Sequence, residues 1–156
     1  MSKPLALLAA VVLSLTVAAT AAPAATPTNF RVTEAVPASV EYGAGGGTTF
    51  GSTTGAFPFV GRATMDVDSF FFFDFLTFQE FAGFYVQFTT GKGDILTLAS
   101  GYIPDTDFLP SGTWTVTHAT GRFASYTGSG TFTVNVSGTP PDDLIETVTL
   151  TGSLSP

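Results

Sequence analysis

Apolar and polar residues alternate along most of this chain with a period of two. Phe132, Val134 and Val136 stand between Thr131, Thr133, Asn135 and Ser137, the pattern of a strand with one buried and one wetted face. Val148 and Leu150 repeat it between Thr147, Thr149 and Thr151, and Trp114 and Val116 between Thr113, Thr115 and Thr117. Ala63, Met65 and Val67 alternate in the same way with Arg62, Thr64, Asp66 and Asp68. The threonines at outward positions suit a pleated surface because their β-carbon is branched. Breakers separate the runs at Gly43 to Gly47, Gly91 to Asp94, Pro104 to Pro110, Gly128 to Gly130 and Thr139 to Asp143. No segment carries a helical amphipathic stripe. The pattern predicts an all-β fold of about eight antiparallel strands. A closed barrel is favoured over a two-sheet sandwich, because closure removes exposed strand edges.

Alternation fails in one place. Phe70 to Phe73, Phe75 and Phe78 form a run that continues through Phe81, Phe84, Tyr85 and Phe88, and consecutive phenylalanines must point to both faces of a strand. The excess apolar face is expected to be covered by a partner element, or to present an aromatic patch to an apolar ligand, a second copy or an envelope component. Asp74 within the run is a candidate gatekeeper charge against aggregation.

The N-terminus departs from this pattern. Lys3 precedes an apolar run from Leu5 to Leu13, and small residues follow, with Ala19-Thr20-Ala21 fitting a small-x-small cleavage site. This predicts a signal peptide over 1–21 and a secreted or periplasmic protein. A flexible leader over 22–28 and a single barrel domain over 29–156 complete the expected organisation. The run falls short of the ~20 residues of a spanning helix, so no transmembrane segment is expected in the mature chain. The chain has no cysteine, which excludes disulfides, thiolate metal sites and a lipid-acceptor cysteine. Cleavage would leave four basic residues (Arg31, Arg62, Lys92 and Arg122) against twelve acidic ones. Such a balance argues against nucleic-acid binding and electrostatic membrane docking.

Reactive constellations are sparse. His118, the only histidine, ends the alternating run from Trp114 and is expected on the tryptophan's face. No GxSxG elbow frames Ser111, Ser125 or Ser129 beside it. Of the acidic pairs, Asp105 and Asp107 are the better metal candidates, but they supply only part of the six to eight oxygens calcium needs. Asp66 and Asp68 read as a solvated strand face. Arg62 and Arg122 each follow a glycine, and are expected to cap turns, pair with a carboxylate such as Asp94, or bind an anion. No metal, no cofactor and no catalytic residue is assigned.

The segments Gly55 to Arg62, Gly91 to Leu96, Gly112 to Thr117 and Ala119 to Thr131 together resemble a group of exported bacterial barrels. Those proteins are distantly similar to the allene oxide cyclase and dirigent barrels, and the likeness spans roughly Gly55 to Leu154. It implies an eight-stranded, calycin-like barrel with an apolar ligand in its lumen. This chain departs from the pattern at Ala119, where a glycine is usual, and at Ser125-Tyr126, where a Gly-Ala pair is usual. Phe57 to Val60 stands where many members carry a histidine, and no catalytic residue of the cyclases maps onto the sequence.

The expected function is a non-catalytic exported barrel that binds a small apolar ligand or an envelope partner. The expected ligand-contacting residues are Arg62, Phe73, Phe75, Trp114, His118, Arg122 and Phe123. The alternatives are a cyclase or isomerase acting on an apolar substrate in the lumen, and a structural envelope protein that self-associates through the Phe-rich strand. A polar side chain converging inside an apolar interior would favour the enzyme.

Overall fold

The computed structural model describes residues 26–43, 45–76, 79–101, 103–104, 111–139 and 143–156. The expected signal peptide lies outside them, as do Asp105 and Asp107. Nine strands follow one another: β1 (Thr28–Gly43), β2 (Gly46–Phe57), β3 (Gly61–Asp74), β4 (Gln79–Thr90), β5 (Ile95–Ala99), β6 (Ile103–Pro104), β7 (Ser111–Ala119), β8 (Thr127–Thr139) and β9 (Asp143–Ser155). All pairings are antiparallel. The order β3-β2-β1-β9-β8-β7-β5-β4 closes on itself through β3–β4, an eight-stranded up-and-down barrel. The two residues of β6 pair with β4 opposite Phe81 and Ala82.

Closure puts one parity of each strand inside. Phe30, Val32 and Val36 of β1, Ala63, Met65 and Val67 of β3, Phe84, Val86 and Phe88 of β4, and Val148, Leu150 and Leu154 of β9 form the main core. Rings fill its centre: Phe84 stacks on Phe132 at 4.2 Å, and Phe57 meets Phe88 edge-on at 5.1 Å. A smaller cluster of Ala38, Val40 and Leu144 lies toward the opposite end.

A plug closes one end of the barrel. The chain between β7 and β8 makes a single 3-10 turn, Gly121–Phe123, which drops Phe123 into the core with only 1% of its surface exposed. Gly121 adopts φ +56° beside Asp94, a conformation that a Cβ would strain, and that Cβ would also collide with the Asp94 carboxylate. Asp94 gathers the end together. It accepts from Thr90 Oγ1 (3.2 Å) and from the Arg122 backbone N–H (3.4 Å), and it pairs with Arg122 Nε at 3.7 Å. The Arg122 guanidinium also donates to the Val60 carbonyl and lies 4.6 Å from the centre of the Phe123 ring. Asp94→Ala is therefore expected to lower stability by about 1–2 kcal/mol while Asp94→Asn loses less, because the half-exposed ion pair contributes little beyond its hydrogen bonds. Urea midpoints at an unchanged slope check this.

Two expectations about the late strands are corrected. Gly128 and Gly130 do not break the chain, since β8 runs through both. They face inward, and Gly130 pairs with Gly152 of β9. A Cβ on either Gly130 or Gly152 would come within 2.7 or 2.6 Å of the Trp114 ring, so this pair makes room for the indole. The second correction concerns His118. The β5–β7 register shifts between Thr97 and Leu98, pairing Leu98 with Val116 but Thr97 with His118. The extra residue reverses parity at the end of β7 and puts His118 on the outer, exposed surface, away from the buried Trp114.

Candidate functional site

The Phe-rich run divides between the two faces of the barrel wall. Phe70 and Phe72 lie on the outer face. The Phe70 ring lies over Gly83 of β4, where a Cβ would overlap it, and Phe72 stacks on Phe81 at 5.4 Å. Phe71 lies on the inner side, its ring 3.0 Å from where a Cβ of Gly47 would stand. Neighbouring strands thus cover part of the excess, while Phe72 remains 36% and Phe75 67% exposed. Asp74 Oδ1 accepts from the Leu76 N–H at 2.8 Å and holds the following turn.

These rings border a groove of about 450 Å³ at the barrel end opposite the plug. Its walls are Glu41, Tyr42 and Gly43 at the end of β1, Gly46, Gly47 and Thr48 at the start of β2, and Phe70, Phe71 and Phe72 of β3. The Gly47–Phe71 pair forms its inward wall. The next inward-facing pair down the same two strands is Thr49 and Ser69, about 7 Å deeper at the ordinary rise of a strand.

There the interior turns polar. Glu146 of β9 follows Leu144 and precedes Val148 on the inner face, and it is fully buried. Thr49 Oγ1 donates to Glu146 Oε1 and also lies 3.2 Å from the Ser69 carbonyl oxygen. Ser69 is near enough to favour the charged carboxylate, yet neither Ser69 Oγ nor Glu146 Oε2 completes a hydrogen bond. Burial pushes the Glu146 carboxyl above its ordinary value. The Thr49 and Ser69 hydroxyls oppose that shift, and the like charge of Asp68 adds to it. Asp68 itself is raised by burial and by Asp66. Among the described residues Arg122–Asp94 is the only ion pair, so none of them gives Glu146 a counter-cation.

The seven residues expected from sequence do not form one site. Trp114 is in the core, donating Nε1–H to the Thr131 carbonyl at 3.0 Å. Phe123 and Arg122 build the plug. Arg62 is exposed beside Lys92 and Arg122 in a depression of about 510 Å³ at that end. His118 is outside, and Phe73 lies at the far end, 5.1 Å from Phe75. Glu146, Thr49 and Ser69 are the residues that sequence reading missed. Their signal is parity: Glu146 stands two residues before Val148 in the β9 alternation.

Among the described residues no group of three or more His, Cys, Asp or Glu side chains could hold a metal ion. No helix among them is long and apolar enough to cross a membrane. No family model, curated protein or solved structure matches the chain.

Proposed function

We propose that this chain is an exported, non-catalytic β-barrel that binds a small apolar molecule at the end opposite the Phe123 plug. One observation carries the reading. An aromatic groove of about 450 Å³, within the ordinary size of a ligand site, ends at the Gly47–Phe71 pair, one inward-facing pair above a buried polar group. Export is supported by Lys3, the Leu5–Leu13 run and Ala19-Thr20-Ala21. The likeness of Ala119 to Thr131 to the allene oxide cyclase and dirigent barrels supports the same class of protein. Glu146 also favours a second reading, an isomerase or cyclase that confines an apolar substrate. It is weaker, because one carboxyl without an acid–base partner supplies only half of a proton-transfer pair.

Gly43 gives a clean test. It lines the groove, and a Cβ there would meet nothing within 4 Å, so a side chain can be added at this position and Gly43→Trp is expected to obstruct the groove, with an unchanged urea midpoint as the check on the fold. Titration with Nile red, a neutral apolar dye, is expected to show saturable fluorescence enhancement with the native chain and loss of about tenfold or more in affinity with Gly43→Trp. Equal binding to both proteins, or no saturable binding to either, overturns the proposal.

A further inference from the structure

We infer that Glu146, Thr49 and Ser69 form a receptor for a primary ammonium group, so that the ligand is an apolar amine whose hydrocarbon part lies in the aromatic groove. The inference rests on the ligand-binding reading above and names the chemistry of its polar end.

Three oxygens meet at this level of the barrel: Glu146 Oε2 and Ser69 Oγ, both buried and without a hydrogen-bond partner, and Thr49 Oγ1. A primary ammonium has three N–H donors and no acceptor, which matches that set in number and direction of donation. A carboxylate ligand has nothing to offer it, since every nearby charge is negative: Glu146, Asp68 and Asp66. A neutral hydroxyl would satisfy one or two of the oxygens but leave the carboxyl without a counter-charge, and a buried charge without one is costly. The rings of Tyr42, Phe70, Phe71 and Phe72 border the groove, and its Gly47–Phe71 wall stands one inward-facing pair above Thr49 and Ser69. Aromatic faces attract organic cations. A chain with a net charge of −7 reinforces the preference at long range.

Naphthylmethylamine and naphthylmethanol share one apolar body and differ in the charged donor, so their affinities for the full chain measure the inference directly. The amine is expected to bind about tenfold or more tightly than the alcohol, the factor of one charge-assisted hydrogen bond. Glu146→Gln is expected to abolish the preference for the amine over the alcohol, and Thr49→Val to weaken the amine more than the alcohol. Glu41→Gln, at the exposed rim, is expected to keep the preference. Equal binding of amine and alcohol to the native chain overturns the inference and leaves the groove reading intact. So does a preference that survives Glu146→Gln but disappears in Glu41→Gln, which would assign it to surface charge. Saturable binding of neither compound overturns the groove reading itself, and the inference with it. The native-chain comparison decides the matter without any variant if Glu146→Gln does not fold.

Discussion

Gly130→Ala is expected to destabilise the barrel by about 2–3 kcal/mol, the upper range for overpacking a core, although only one methyl group is added to a strand. That methyl would sit 2.0 Å from the Thr151 carbonyl oxygen and 2.7 Å from Trp114 Cε2. Backbone on one side and a fully buried indole on the other leave little room to yield. Trp114 is itself tied down, by the bond from Nε1–H to the Thr131 carbonyl and by edge contact with Phe30 at 5.9 Å. Trp114→Ala is expected to cost about 3–5 kcal/mol as a large-to-small core change. The two substitutions share one contact, so they will not add. Adding Gly130→Ala to Trp114→Ala should cost clearly less than it does alone, with a coupling of about 1 kcal/mol or more. Urea unfolding of the four proteins measures this. Strict additivity would mean that the indole does not define the space over Gly130 and Gly152.

The second large effect depends on pH. The Glu146 carboxyl is held above its ordinary value of 4.5, chiefly by burial, so the folded chain keeps this proton when the unfolded chain has lost it. Its contribution to stability is therefore complete below the unfolded value, declines as pH rises from there, and is lost once pH passes the folded value. Asp68, raised as well, acts with the same sign. Glu146→Gln keeps the shape and removes the ionisation. Its stability relative to the native chain should be close to zero near about pH 4 and rise to about 1–3 kcal/mol in its favour toward about pH 8, the cost of an uncompensated buried polar group. Urea midpoints across that range test the prediction, and a gap that does not change with pH contradicts it.

Much of the barrel was legible because its walls separate a dry face from a wet one. Ala63, Met65 and Val67, and likewise Val148 and Leu150, are buried at the parity their alternation predicts. His118 was misplaced because a one-residue bulge reverses every side chain beyond it and leaves no mark in composition. Gly128 and Gly130 were read as a break because glycine marks turns far more often than it makes room for a ring. The Phe-rich run concealed its own division, since only the partner strand shows that Phe70 rests on a glycine and Phe72 on Phe81. The polar group escaped for a related reason. A glutamate at an inward position looks like the end of the apolar pattern, and only closure brings β9 to Thr49 of β2 and Ser69 of β3.

The most direct test of the ligand site is a map of amide shifts in the nitrogen-labelled chain as naphthylmethanol is added. The site described above predicts saturable shifts confined to Gly43, Gly46 to Thr49, Ser69 to Phe72 and Glu146, all absent in Gly43→Trp. Shifts centred on the plugged end, around Phe59, Arg62 and Lys92, or scattered weakly over the outer wall, would contradict it.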